Sequence, residues 1–119
     1  MLAHITAADF KERIFDYTQG RDFVFKGLHP ALVVFTAAGL GPCDDMGAWV
    51  GEVAKDFTGR LDIYMVDARV EKELCGVFGV TAYPTMLYLG ANSKPYSSVG
   101  SVTTQTLING IRVFLSENE

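Results

Sequence analysis

Two thiols are the side chains of this sequence best suited to covalent chemistry, and their placement decides how much they can do. Cys43 closes the run Gly39-Leu40-Gly41-Pro42-Cys43, and Cys75 lies far along the chain from it. Thiol–disulfide exchange needs an exposed thiolate to attack and a second thiol beside it to release the mixed disulfide. The turn that carries Cys43 has Leu40, not a second cysteine, at its other end. Two cysteines are too few for a disulfide-stapled scaffold or a Cys-rich zinc centre. His4 and His29 do not stand at metal-ligand spacing from either cysteine, so no metal and no cofactor is expected.

The elements that must position these groups come from a chain of 119 residues, 49% hydrophobic and 20% charged, with a formal net charge of -4. That is one domain, residues 1–119, with enough apolar side chains for a core, and it excludes intrinsic disorder. An acidic balance without a Lys/Arg run argues against nucleic acid or an anionic membrane as partner. Segments 27–43, 74–93 and 95–111 carry no formal charge, but Gly, Pro, Ser, Thr and Asn interrupt them. None is the roughly 20-residue apolar block of a membrane span. Asp9, Glu12 and Asp16 do not suit a signal peptide. The expectation is a cytoplasmic monomer, or a periplasmic one if an export signal was trimmed from a longer precursor.

Thr6 and Asp9 form a helix N-cap pattern, with Phe10, Ile14 and Phe15 on one face and Gly20 ending the element. Phe23 and Phe25 alternate with charged residues, as in a short strand or a loop pinned to the core. Ala31-Leu32-Val33-Val34-Phe35 is a continuous β-prone run, a strand buried on both faces. Pro42 suits a first helical position. Met46, Trp49, Val50, Val53, Ala54 and Phe57 then repeat at helical spacing up to Gly59. Leu61 to Val66 reads as a second strand, and Glu71 to Phe78 as a short helix with Val70, Leu74, Val77 and Phe78 inward and Gly79 at its end. Thr85–Leu89 and Pro95–Val99 read as a hairpin around Gly90-Ala91-Asn92-Ser93-Lys94, and Thr103 caps a last helix with Leu107, Ile111, Phe114 and Leu115 on one face. The order αβαβαββα predicts an α/β fold of three layers, an α/β/α sandwich whose central mixed sheet carries a C-terminal antiparallel hairpin and helix.

Phe35-Thr36-Ala37-Ala38-Gly39-Leu40-Gly41-Pro42-Cys43 resembles the active-site segment of the thioredoxin family, in which an aromatic strand end leads into Trp-Cys-Gly-Pro-Cys. Gly79-Val80-Thr81-Ala82-Tyr83-Pro84-Thr85 resembles the family's loop with a cis-proline followed by Thr. The similarity runs from about Ala31 to Phe114 and includes Asp67 and Gly100. It implies a thioredoxin-like fold and a groove made by Leu40, Gly41, Pro42, Tyr83, Pro84 and Gly100, where an extended peptide pairs by β-addition.

The departures bear on activity. Leu40 stands at the family's attacking cysteine, and only the resolving position, Cys43, is kept. Thr36 and Gly39 replace the active-site tryptophans, Val34 the buried carboxylate that takes a proton during reduction, and Met65 its lysine neighbour. Asp44 and Ala48 also depart from the pattern. A single designed knock-out would change one position, whereas Val34, Thr36, Gly39, Leu40 and Met65 differ together. The resemblance places the Cys43 sulfur inward. Burial and the acidic Asp44 and Asp45 then oppose the helix N-terminus that favours a thiolate, which predicts a sluggish thiol.

The expected function is therefore a thioredoxin-like protein with a degenerate site that binds a peptide or protein partner with little or no dithiol turnover. The alternative is a monothiol oxidoreductase, in which Cys43 attacks and an external thiol resolves, contributing to cell redox homeostasis. Cys75 reads as a small buried apolar residue on the short helix, which the resemblance places on the opposite sheet face from Cys43 and so out of disulfide reach of it. Pro84 and Gly100 each have a purely structural reading as turn residues. Trp49 reads as core, Met46 and Met65 as gap fillers, and His29 as exposed in a loop with no partner.

Overall fold

The computed structural model describes residues 3–20, 22–37, 46–100 and 103–118. Its elements are β1 (Ala3–His4), α1 (Ala7–Arg13), β2 (Ala31–Thr36), α2 (Met46–Lys55), β3 (Asp62–Asp67), α3 (Lys72–Phe78), β4 (Thr85–Gly90), β5 (Ser93–Val99) and α4 (Thr104–Asn118). The sheet order is β1-β3-β2-β4-β5. β1 and β2 run parallel to β3, whereas β4 runs antiparallel to both β2 and β5, so the sheet is mixed as expected.

Alternation along the strands divides the core into two apolar layers. Leu32, Val34, Ile63, Met65, Met86 and Tyr88 point to one face, where Val50 and Val53 of α2 and Leu107, Ile111, Phe114 and Leu115 of α4 cover them. Val33, Phe35, Val66, Leu87 and Leu89 point to the other, against Phe10 of α1 and Leu74 of α3. This is the three-layer sandwich, and α3 does lie across the sheet from α2.

The helix ends follow local chemistry. Thr6 and Asp9 form a reciprocal capping box: the Asp9 amide donates to Thr6 Oγ1 at 3.2 Å and the Thr6 amide to Asp9 Oδ2 at 3.1 Å. Thr103 Oγ1 accepts the Thr106 amide at 3.1 Å. Gly79, at φ +65°, takes the left-handed position after α3 that a side chain would resist.

Several elements differ from the sequence reading. β1 has no signature in the sequence because two residues show no periodicity, although the sheet holds it through Ala3–Tyr64 and His4–Met65 pairing. Phe23 and Phe25 lie in a loop packed on the core. α1 stops at Arg13 and α2 at Lys55, so Gly20 and Gly59 sit in later turns. The hairpin is tighter than expected: Gly90 pairs with Ser93 across Ala91-Asn92, and Pro95 lies inside β5, which an edge strand tolerates because its outer side has no ladder to break. Asn118 clamps this turn, accepting the Asn92 amide at 2.8 Å and donating to Ser93 Oγ at 3.0 Å.

Val70 and Val77 are exposed, at 69% and 44%, where an inward position was expected. Val70 precedes α3, in the turn closed by its amide on the Asp67 carbonyl. At 3.6 residues per turn, Leu74 and Phe78 share a stripe that leaves Val77 well to one side. Cys75 is half-buried at the edge of that stripe, not fully buried. His29 has a partner after all, its Nδ1 standing 3.6 Å from Asp62 Oδ2. Trp49 packs partly against the first core layer, and its indole N–H donates to Thr104 Oγ1.

Candidate functional site

One end of the sheet gathers the described residues singled out by the sequence. β2 and β3 finish there side by side, Thr36 opposite Asp67, and the Ala68 amide donates to the Thr36 carbonyl at 2.8 Å. β4 starts there and β5 ends there, with Thr85 opposite both Phe35 and Val99. The Gly100 amide donates to the Pro84 carbonyl at 2.8 Å, which joins the pre-β4 loop to the end of β5. Gly100 has φ +95°, a backbone that only glycine adopts without strain.

Tyr83 and Pro84 are linked by a cis peptide bond. Pro84 is buried and Tyr83 half-buried, its ring packed against both apolar layers. Burial raises the Tyr83 phenol above its ordinary range, and the neighbouring Cys75 thiol adds to the shift. Among the described residues, no backbone hydrogen bond uses the N–H or the carbonyl of Tyr83. Thr85 is buried with its hydroxyl satisfied, donating to the Ala82 carbonyl at 2.6 Å. Val99 is 64% exposed beside it, a rim residue that the sequence reading counted only as part of a strand. An apolar β-branched residue beside a turn glycine, after Ser97 and Ser98, was the one signal of it in the sequence.

Behind this end, the core is apolar. Val34 pairs with Met65 on one side and Met86 on the other, and all three are buried. Among the described residues, the only buried polar side chains are those of Thr85 and Asn118, so no buried carboxylate, ammonium or imidazole accompanies them. At the mouth, Asp67 accepts from Arg69 through its backbone amide at 3.0 Å and its guanidinium at 3.4 Å, and these bonds hold the carboxyl below its ordinary value. No group of three or more potential metal ligands occurs among the described residues.

The family model of thioredoxin matches residues 3–113. The chain belongs to the thioredoxin family. It is 31% identical over 114 residues to a thioredoxin of Borreliella burgdorferi, covering 96% of this chain and 97% of that one. It is 32% identical over 88 residues to the chloroplastic thioredoxin M4 of Arabidopsis thaliana, with 74% of this chain and 46% of that protein covered. The chain thus spans nearly all of the bacterial relative and about half of the chloroplast one. A solved structure of chloroplastic thioredoxin z superposes with a TM-score of 0.77 at 14% identity, covering 97% of this chain and 95% of that one, which supports the fold.

Membership in the thioredoxin family brings thiol–disulfide redox chemistry and the general capacity of its members to bind protein substrates. Within this thioredoxin-family chain, the fold brings Tyr83, Pro84 and Gly100 together at one strand end. Leu40, Gly41, Pro42 and Cys43 lie outside the described residues, as do the expected roles of Gly39, Asp44 and Asp45. Cys75 contacts the Ala68 carbonyl through its Sγ at 3.8 Å, which ties α3 to the loop after β3.

Proposed function

We propose that this thioredoxin-family chain holds an extended peptide or protein segment at the Tyr83–Pro84–Gly100 strand end and carries out little or no dithiol oxidoreduction. The observation that carries the reading is the Tyr83 backbone, whose N–H and carbonyl are not engaged by other described backbone groups, beside the exposed Val99 rim. Such a pair of groups suits β-addition, in which main-chain hydrogen bonds supply affinity and side-chain pockets supply choice. The Leu40-Gly41-Pro42-Cys43 run supports low turnover, because it has no attacking thiol at its first position. The buried Val34–Met65 pair supports it further, since neither side chain can take a proton. The same reading has the protein act as a cytoplasmic monomer without metal or cofactor.

Titration of the chain with a pool of extended apolar peptides, followed through backbone amide resonances, tests the binding. The expected result is saturable shifts at Tyr83 and Val99, weakened about tenfold or more by Val99→Asp, a change worth at least about 1.4 kcal/mol. Absence of saturable shifts at these residues overturns the reading.

Retention of Cys43 favours a second reading. In it, the Cys43 thiolate attacks a substrate disulfide and forms a mixed disulfide, expelling the substrate's other sulfur as a thiolate. An external thiol such as glutathione then attacks, releases the substrate and leaves Cys43 to be regenerated by a second external thiol. Turnover that requires both Cys43 and added thiol distinguishes this enzyme from the binding module.

A further inference from the structure

A cavity of about 480 Å³ lies between β4, β5 and α4, walled by residues that the peptide groove does not use. Met86 and Leu107 line its apolar interior together with Tyr88 and Tyr96, whose rings stack at 5.0 Å between centroids and 17° between planes. Ser98 adds a hydroxyl next to Tyr88.

Gly110 explains why space remains there. It sits inside α4, and its φ is not positive, so the backbone does not require glycine. Glycine at such a position weakens a helix relative to alanine. What it supplies is room: a Cβ on Gly110 would already stand 3.4 Å from the Tyr88 hydroxyl, and anything longer would enter the cavity.

We propose that this cavity is a binding site for a small, neutral, planar aromatic molecule carrying a hydrogen-bond acceptor. The volume lies within the roughly 300–1,000 Å³ range of small-molecule pockets. Among the described residues, its lining contains no carboxylate, ammonium, guanidinium or imidazole, so an ionic ligand would lose its hydration without a counter-charge. The stacked tyrosines offer ring faces and edges to a planar ligand. Burial keeps the Tyr88 phenol protonated, so its O–H can donate to the acceptor, and the Ser98 hydroxyl stands in the same lining as a second polar group. A protein strand is the poorer occupant, because Lys94 and Pro95 blunt the neighbouring free edge of β5.

Coumarin, a neutral two-ring lactone, and coumarin-3-carboxylate, its anionic counterpart, test the site when titrated into the full chain under amide-resonance detection. Saturable coumarin shifts at Tyr88, Ser98 and Gly110, with the carboxylate at least about tenfold weaker, are expected. Gly110→Leu, which fills the cavity, should lower coumarin affinity by about tenfold or more. Val113 lines the same cavity and is 60% exposed, so Val113→Trp should narrow the opening with the same effect and little risk to folding. Absence of coumarin binding at these residues overturns the proposal, as does equal binding of the carboxylate. Affinity unchanged in whichever of the two variants folds, or aromatic peptides bound at the cavity in preference to coumarin, overturns it as well.

Discussion

The amide of Gly100 donates to the carbonyl of Pro84 at 2.8 Å, fastening the end of β5 to the loop that opens β4. Gly100 makes this bond at φ +95°. Alanine keeps the N–H but resists that backbone, so Gly100→Ala should destabilise the fold by about 1–2 kcal/mol. Urea unfolding checks this: the midpoint should fall with an unchanged slope. An unaltered midpoint would mean the loop accepts a side chain without strain.

Asn118 and Gly90 form a second fastening at the opposite end of the hairpin. Asn118 is buried and satisfies the Asn92 amide and Ser93 hydroxyl, so Asn118→Ala should cost about 1–3 kcal/mol. A Cβ on Gly90 would run into the Asn118 amide group, so Gly90→Ala should be destabilising in the wild type. In the Asn118→Ala background the same change should cost less, because the obstructing amide is gone. Denaturant unfolding of the four proteins would show this non-additivity. Strict additivity would separate the two residues.

Tyr88 sets an alkaline limit on stability. Burial first, and then the nearby Tyr96, push its phenol up to about 12, while Ser98 acts in the other direction. An unfolded tyrosine ionises near pH 10. The folded state therefore holds this proton more tightly, and the stability it contributes is complete below about pH 10 and lost as pH rises toward 12. Tyr88→Phe should flatten the decline by up to about 1.4 kcal/mol per pH unit over that window. Thermal unfolding against pH measures it, and an identical alkaline decline in both proteins would count against the buried Tyr88 phenol as its cause.

Leu40→Cys would restore the sequence of a dithiol run. With Val34 unable to take a proton, the resulting pair should exchange disulfides slowly compared with an ordinary thioredoxin. Reduction kinetics with insulin as substrate check this. Near-full thioredoxin activity from the single change would place the whole deficit at residue 40.

The layers were legible in the sequence because period-2 and period-3.6 patterns directly encode which face is buried. Leu107, Ile111, Phe114 and Leu115 lie inward as their spacing predicts. The pattern failed where elements are short. Among the described residues, Ala3–His4 pairs only with β3, and seven-residue α3 has too narrow a stripe to bury Val77. The His29–Asp62 pair arises only because Ala31 registers with Asp62 across β2 and β3, a relation no local reading contains. Pro84 and Gly100 were legible as turn chemistry, but their mutual hydrogen bond and the exposed Val99 rim required the strands to be brought together.

The most direct test of the central claim is steady-state insulin reduction in the presence of dithiothreitol or glutathione, comparing the chain with its Cys43→Ser variant. A protein that binds without dithiol turnover gives a rate equal to the uncatalysed background in both. A rate above background that disappears with Cys43→Ser would contradict the binding reading and establish a monothiol oxidoreductase.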